Sequence, residues 1–289
     1  MRRGPSCGRG AEAGALELSD ILAGHAADER LLAEVYDLEH DEFVEDVVFY
    51  RESASRQAGD VVDLGCGSGR LFRSFLDGGA RRILGIDGSA ALLERARARV
   101  ASDPVLHTAH AEGRIELELG DVVTVARPER FALVVLAGVL SHLDGPSAGR
   151  RALAAARDLL APGGALIVDV VGPGGLPTRD LPLSMDWDRT MDGRRVVRSS
   201  RIERRPAPDG LRVRYETLTD LEEADGTIAR LSARFRLWYP SPAALFSLAS
   251  EAELEVEATF GSYDLDPLDE VSDRCIAVMR RATATPGRG

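Results

Sequence analysis

The sequence predicts an α/β protein with a seven-stranded, mostly parallel sheet, N-terminal helices and an inserted antiparallel β sheet. The parallel sheet is predicted because short apolar runs alternate with helical patterns from residue 60 onwards. These runs are apolar almost throughout, as in parallel strands that helices cover on both faces. The insert is predicted by Asp209-Gly210 and Asp225-Gly226, because Asp-Gly between alternating strands is a strong hairpin signal.

Bulk properties exclude several classes of protein. The 289 residues, 44% hydrophobic and 29% charged, are enough for one large α/β domain with an additional inserted segment. The net charge of −11 disfavours a nucleic-acid partner, because binding to phosphates needs a basic face. The three cysteines are far apart, which argues against a disulfide framework or a zinc site. No signal peptide is visible and the longest apolar run, 131–140, is too short for a membrane span, so a cytoplasmic protein is expected.

The chain divides into a core with additions before and within it. Residues 1–17 and 282–289 are expected to be tails, the first of them disordered because it is rich in Gly, Arg and Ala. A helical lead-in follows over 18–58, and the core comprises 59–185 and 241–281. Its predicted strands are 60–65, 82–87, 114–119, 131–137, 165–171, 254–262 and 274–280, and its predicted helices are 69–77, 90–101, 147–160 and 242–252.

The antiparallel insert is predicted over 186–240. Prolines and aspartates indicate a loop over 173–192, and three strands follow, over 194–204, 211–219 and 227–239. A three-stranded sheet leaves an edge that must be covered, so the insert is a candidate contact of a homodimer. Its arginines are nearly balanced by acidic residues, which favours a solvated strand face over a phosphate-binding patch.

The most informative segment is 61–70, a short buried strand followed by three glycines at alternate positions. Gly65, Gly67 and Gly69 carry no side chain to keep a ligand from the backbone, and glycine tolerates the positive φ that such a turn needs. The turn opens a helix, whose N-terminus favours negative charge. The segment therefore predicts a site for a nucleotide-like ligand with a carboxylate or phosphate.

Two acidic residues refine this prediction. Asp63 precedes the first glycine by two residues, and the second strand ends at Asp87, whose carboxylate can accept two hydrogen bonds from a ribose diol. The glycine spacing is G-x-G-x-G rather than the dinucleotide pattern G-x-G-x-x-G. A dehydrogenase and a ligand-free turn stay open as alternatives. The residues resemble motif I and the following acidic motif of the class I, Rossmann-like S-adenosylmethionine-dependent methyltransferases.

Three further segments follow the order of that family, so that the resemblance extends over 60–280. Residues 120–122 resemble the segment that cups the adenine, 137–143 the segment on the methyl-donor side, and 159–170 the helix, turn and strand that close the core. The resemblance implies a Rossmann-like fold and S-adenosylmethionine as the cofactor. The cofactor-binding residues that it implies are Tyr36, Asp63, Gly65, Cys66, Gly67, Gly69, Asp87, Gly88, Asp121, Val122 and Ala137.

The segments outside the core narrow the resemblance. Three features are similar to bacterial small-molecule methyltransferases. They are a lead-in that begins at Tyr36-Asp37 and contains Asp46, an insert after strand five, and Gly261-Ser262-Tyr263-Asp264 before the last strand. These include the amino-sugar N-methyltransferases of antibiotic pathways and the glycine and sarcosine type. The resemblance implies that Tyr36 closes over the methionine end of the cofactor and that the insert roofs the substrate pocket or pairs subunits. Gly88 departs from the family, which usually has a larger or apolar residue there.

His142 is the candidate general base. It follows strand four by a few residues, where the substrate is expected to enter, and histidine titrates near neutral pH. The alternative is a histidine that only lines the pocket or bonds to backbone. His107 and His110 are expected in a surface loop before strand three. His40 is expected on the N-terminal helices, from which it could approach the pocket, but it is not selected as a site residue.

The expected reaction is methylation of a small molecule, at an amine in preference to a hydroxyl. No metal is expected, because strand four ends in Ala137-Gly138 where a metal-dependent enzyme would place acids. An Asn/Asp-Pro-Pro-Tyr motif is missing after strand four, which argues against nucleobase methylation. O-methylation, another reaction of the same cofactor such as aminopropyl transfer, and a cofactor-binding module without enzymatic activity stay open.

Overall fold

The computed structural model describes residues 26–282, with side chains from residue 29 onwards. Several predicted features lie outside this range: the tail over 1–17 with Cys7, His25, and the tail over 282–289 except for its first residue. None of the helices between residues 26 and 282 is long and apolar enough to cross a membrane.

The core is a seven-stranded sheet that confirms the predicted fold class. Its strands are β1 (Val61–Leu64), β2 (Ile83–Asp87), β3 (Ile115–Leu119), β4 (Phe131–Ala137), β5 (Leu160–Val171), β10 (Leu254–Phe260) and β11 (Arg274–Arg281). They lie in the order β10-β11-β5-β4-β1-β2-β3. β11 runs antiparallel to both of its neighbours, and the other neighbouring strands are parallel. The carboxyl ends of β1 to β5 therefore share one edge of the sheet, where ligands bind in open α/β sheets.

Seven helices accompany the strands in the described part of the chain. They are α1 (Ala26–His40), α2 (Val47–Gln57), α3 (Phe72–Asp77), α4 (Ala90–Ser102), α5 (Pro104–Ala111), α6 (Gly145–Leu159) and α7 (Pro242–Glu251). The loop predicted around His107 and His110 is wrong, since both lie in α5. Asp103 accepts hydrogen bonds from the amides of Val105 and Leu106, and Pro104 takes the first helical position, so a new helix starts directly after α4.

The core consists of two hydrophobic clusters, one on each face of the sheet. Neighbouring residues of β4 alternate between them: Val134 and Leu136 belong to one cluster, Leu133 and Val135 to the other. On the first face, helix α6 contributes Leu153 and helix α7 contributes Leu248. On the second face, helices α2, α3 and α4 contribute Tyr50, Phe72 and Leu93. Burial on both faces explains why these strands are continuously apolar.

The insert is a second, antiparallel sheet of four strands: β6 (Leu181–Met191), β7 (Arg194–Ala207), β8 (Gly210–Glu222) and β9 (Ile228–Pro240). The loop predicted over 173–192 is therefore wrong over the residues of β6. A third Asp-Gly pair, Asp192-Gly193, joins β6 to β7, and both residues have positive φ, 51° and 78°. That geometry is typical of a two-residue hairpin turn. Pro182 is tolerated because β6 is an edge strand.

The two faces of the insert differ in character. The outer face carries ion pairs between neighbouring strands, such as Arg195–Asp188, Arg201–Glu216 and Arg230–Asp220, as expected of a solvated face. Strand β9 contacts the segment after β4 and also α1, so the inner face lies over the carboxyl edge of the core sheet. Strands β6 and β9 are the edges, and dimerisation through the insert stays a prediction.

Candidate cofactor and acceptor site

The glycine turn joins β1 to α3 and is held by β2. The amides of Gly65 and Cys66 both donate to the carbonyl oxygen of Ile86, at 2.7 and 3.1 Å. Gly65, Gly67 and Gly69 have φ of 75°, 56° and 74°. A non-glycine residue is rarely stable at such angles, so the turn depends on its glycines.

Contacts around the turn exclude side chains as well. A Cβ at Gly65 would lie 2.4 Å from Cγ2 of Val139, in the segment after β4, and a Cβ at Gly69 would lie 2.6 Å from the ring of Phe72. Real Cβ atoms do not approach other atoms so closely. The turn is thus packed against the ends of β4 and α3 while its backbone stays bare.

Asp87 lies at the end of β2 and its carboxylate is fixed by backbone amides. Gly67 N donates to Oδ2 and Ser89 N donates to Oδ1, both at 2.8 Å. Burial raises the pKa of Asp87, and these two hydrogen bonds act in the opposite direction. The remaining lone pairs of an oriented carboxylate are available to a ribose diol, the role predicted for this residue.

Asp63 lies in β1 behind the turn and is 2% exposed. Burial, reinforced by the nearby negative charge of Asp87, raises the pKa of Asp63 to about 7. Folding therefore disfavours the charged form of this carboxyl, and the group has a protonation equilibrium close to physiological pH.

This raised pKa gives a testable pH dependence. Because Asp63 has a pKa of about 7 in the folded protein against an ordinary value of 3.8, the folded state binds the proton more tightly. The stability that this carboxyl contributes is present below pH 3.8 and is lost as the pH rises to about 7. We expect the wild type to lose stability relative to Asp63→Asn over this range, measured as the urea midpoint at several pH values. Asp77→Asn, at an exposed site, should follow the wild type; parallel curves for Asp63→Asn would contradict the prediction.

The other predicted cofactor residues extend along the same edge. Cys66 is buried against Gly85, and burial raises the pKa of its thiol, as expected of a filler and not of a nucleophile. The atom nearest to a Cβ at Gly88 would be the carbonyl oxygen of Gly120, at 3.9 Å, so the space beside Asp87 is open. Asp121 is exposed after β3 and accepts from Val123 N at 2.8 Å, Val122 is buried in the core, and Ala137 ends β4 half-buried.

Helix α1 covers the glycine turn. A Cβ at Gly67 would lie 3.1 Å from the hydroxyl of Tyr36, so this side chain lies directly above the turn. Burial raises the pKa of Tyr36 to about 12, and the hydroxyl therefore stays protonated near neutral pH. The predicted position of Tyr36 over the methionine end of the cofactor is compatible with this placement and stays a prediction.

Ion pairs attach α1 to the core. Asp37, 6% exposed, accepts from Arg95 Nε of α4 at 2.6 Å. Arg99 of the same helix donates from Nη2 to Asp41 at 2.6 Å and from Nε to the carbonyl oxygen of Ser68 in the glycine turn at 2.9 Å. Helix α1 is thereby fixed to the turn that it covers.

A second set of contacts fixes the segment between α1 and α2. Arg70, just after the glycines, pairs with Asp46 through two hydrogen bonds, Nη1 to Oδ1 at 2.8 Å and Nη2 to Oδ2 at 2.5 Å. Nη1 also donates to the carbonyl oxygen of Phe43, whose ring lies 5.4 Å from the guanidinium. Asp46 is 2% exposed, so this pair is largely shielded from water.

The insert holds α1 from the opposite side. Trp187 Nε1 donates to Glu39 Oε1 at 3.1 Å, and Arg198, 7% exposed on the inner face of β7, also pairs with Glu39. Arg189 donates to the carbonyl oxygen of Leu38 near the end of α1. The helix that covers the glycine turn is therefore also part of the contact between core and insert.

His142 lies in a 3₁₀ turn, Leu140–His142, directly after β4. The ring is exposed, yet burial lowers its pKa, with a smaller lowering by His40. The ring of His142 is therefore accessible to a ligand although many protein atoms lie around it. Tyr215 and Phe235 pair 6.1 Å apart on the inner face of the insert, which adds aromatic surface above this edge of the sheet.

Asp169 of β5 is the acceptor of a buried network at the end of its strand. Oδ2 accepts from the hydroxyls of Tyr50 and Tyr263, at 3.1 and 2.7 Å, and Oδ1 accepts from Arg274, with Nε at 2.9 Å. Asp169 is 1% exposed. The network joins α2, β5, β11 and the loop before β11 beside the cleft.

Sequence reasoning missed the side-chain contacts that hold α1 and the segment that follows it. Arg70, Asp37 and Glu39 act over sequence separations of 24, 58 and 148 residues, which no local pattern reveals. The Asp192-Gly193 pair was the available signal for β6 and hence for Trp187 and Arg189. His40 could be placed on a helix near the pocket, but no local pattern showed its stack on Tyr36.

Comparison with protein families identifies the core. Residues 61–164 match the family described as a methyltransferase domain. This range contains the glycine turn, Asp87, Asp121 and His142. Over these residues the resemblance to S-adenosylmethionine-dependent methyltransferases is confirmed, and S-adenosylmethionine is the cofactor that it implies.

Solved structures support the same fold over nearly the whole chain. The sugar N-methyltransferase KedS8 from Streptoalloteichus is 20% identical, with 98% of this chain and 99% of that chain covered and a TM-score of 0.66. The amino pentose methyltransferase CalS10 from Micromonospora echinaspora, in complex with S-adenosylmethionine, is 24% identical, with 87% and 96% covered and a TM-score of 0.63. The methyltransferase CcbJ from Streptomyces caelestis is 24% identical, with 87% and 96% covered and a TM-score of 0.65. No curated protein matches the chain.

The geometry fits the cofactor. Gly67 has no side chain on the side that faces Tyr36, so a ligand can reach its backbone there. Asp87 provides an oriented carboxylate at the end of β2. The space beside Gly88 is open towards Gly120. A nucleoside with an amino-acid tail is complementary to these features in the order predicted from the sequence.

Proposed function

We propose that this protein transfers a methyl group from S-adenosylmethionine to an amine of a small molecule, an amino sugar or related compound of bacterial secondary metabolism. The observation that carries the proposal is the position of α1, which covers the glycine turn with Tyr36 and is also held by the insert through Glu39. In this proposal the cofactor site and the acceptor site share one helix. The names of KedS8, a sugar N-methyltransferase, and CalS10, an amino pentose methyltransferase of calicheamicin biosynthesis, support the acceptor class.

The residues of the chain have distinct proposed roles. Gly65, Gly67 and Gly69 offer bare backbone to the methionine portion, Asp87 binds the ribose, and Asp121 with Val122 contacts the adenine. Bound there, the cofactor supplies an electrophilic methyl group on a sulfonium. The chain orients the acceptor behind that methyl, and positioning of this kind alone contributes several kcal/mol to catalysis.

His142 lies where an acceptor would enter, beyond the end of β4, and its lowered pKa keeps the ring neutral near pH 7. A neutral ring can accept a hydrogen bond or a proton from the acceptor nitrogen. A neutral amine needs little further activation, so the chain has mainly to position it behind the methyl group.

Product analysis tests the proposal. Purified protein is incubated with methyl-labelled S-adenosylmethionine and a set of amino sugars, each paired with the parent sugar that carries a hydroxyl in place of the amine. We expect label and a mass gain of one methyl group on amino sugars alone. Methylation of the parent sugars would favour O-methylation. Transfer of an aminopropyl group, or cofactor binding without turnover of any acceptor, would support the other two alternatives.

A further inference from the structure

His40, the last residue of α1, has a ring orientation that fixes its tautomer. The ring stacks on Tyr36, with centroids 4.0 Å apart and planes inclined by 20°. Nδ1 lies 2.8 Å from the carbonyl oxygen of Tyr36. A carbonyl oxygen can only accept, so Nδ1 carries the hydrogen and Nε2 of the neutral ring keeps a free lone pair.

The ring is exposed, and its stacking partner lies directly over the glycine turn. His142 lies close enough for a charge on His40 to lower the pKa of His142. The two imidazoles therefore lie near each other, one at the end of α1 and one directly after β4. His40 is the one whose stacking partner lies above Gly67, where the methionine end of the cofactor is predicted.

Charged groups from several elements surround His40. Arg70 lies beyond the glycine turn, Asp37 and Asp41 are on or next to α1, and His142 follows β4. From the insert, Arg189 binds the carbonyl oxygen of Leu38 and pairs with Glu42, while Arg198 pairs with Glu39. Burial is the largest influence and lowers the pKa of His40, Arg70 lowers it further, and the hydrogen bond to Tyr36 and both aspartates raise it. The net effect is a lowered pKa, so the lone pair persists near neutral pH.

We propose that Nε2 of His40, and not His142, accepts a hydrogen bond from the attacking nitrogen, orients it towards the methyl group and receives its proton. His142 then only lines the pocket, which is the alternative that the sequence left open. The inference rests on the proposed amine methylation. In the transfer, the nitrogen lone pair forms the bond to the methyl carbon and the carbon–sulfur electron pair returns to sulfur. The proton released by the nitrogen passes to Nε2 and from there to solvent.

The tautomer is tested without turnover. In protein labelled with ¹⁵N-histidine, His40 should show a protonated Nδ1, an unprotonated Nε2 and a pKa below 6.5. The signals are assigned by their loss in His40→Phe and His142→Phe. A hydrogen on Nε2, or a pKa above 6.5, would overturn the proposal.

The role is tested with His40→Phe, which keeps a ring to stack on Tyr36 and removes the lone pair. We expect kcat to fall by about 100-fold or more and the affinity for S-adenosylhomocysteine to stay unchanged. The step of the acid limb that follows the pKa of His40 should disappear, while the step caused by protonation of the amine itself remains. His110→Phe is the matched control, because His110 makes the same kind of bond, from Nδ1 to the carbonyl oxygen of Ile115 at 3.0 Å, in α5.

The outcomes separate the two proposals. If His40→Phe methylates amines as fast as the wild type and its pH profile is unchanged, the role of His40 is refuted while the proposed function stands. If the wild type methylates no amine, the proposed function fails, and with it the nitrogen on which His40 would act.

Discussion

Replacing Asp87 with alanine is expected to weaken binding of S-adenosylhomocysteine by about 1–3 kcal/mol, roughly 10- to 100-fold. The side chain is the predicted acceptor for the ribose diol. It also accepts hydrogen bonds from the amides of Gly67 and Ser89, at 2.8 Å each. The variant would lose the proposed ribose contact, and it leaves two amides without their acceptor, one of them within the turn proposed to bind the methionine portion.

Calorimetry with S-adenosylhomocysteine measures this effect, and two further variants separate its causes. Asp87→Asn keeps one oxygen acceptor but loses the charge, so an intermediate affinity is expected. Asp77→Asn removes a carboxylate from an exposed pair with Arg73 on α3 and should bind as the wild type does. Unchanged affinity in Asp87→Ala would refute the assignment of the ribose site.

The sheet could be predicted because its signals are local. Strands β1 and β4 are buried on both faces and read as continuous apolar runs, and the glycine turn needs residues that tolerate positive φ. The parallel arrangement then places Asp87, Asp121 and His142 at one edge without any knowledge of long-range contacts. These positions follow from strand order and direction alone.

The cover of the site could not be predicted, because it depends on pairs that are distant in sequence. Asp37 meets Arg95 across 58 residues and Glu39 meets Trp187 across 148. Their partners are ordinary charged or aromatic residues, and the residue type alone does not indicate which distant residue each of them will contact. His40 illustrates the same limit, since its significance comes from the stack on Tyr36 and the proximity of His142, both set by tertiary packing.

Replacing Asp169 with alanine is expected to lower the free energy of unfolding by about 3–5 kcal/mol. The carboxylate is 1% exposed and accepts from Tyr50, Tyr263 and Arg274. Its removal leaves the Arg274 guanidinium largely buried without its counter-ion, and two tyrosine hydroxyls lose their acceptor. A buried charge left unpaired is costly, whereas exposed pairs contribute little.

Urea unfolding of matched variants distinguishes this cause from general damage. Asp188→Ala breaks an exposed pair with Arg195 on the insert and should leave the unfolding midpoint unchanged. Asp169→Ala combined with Arg274→Met removes both charges and should recover part of the loss, because the unpaired guanidinium is then absent. If the double variant were as unstable as the sum of the two single variants, the cost would lie in packing at the end of β5.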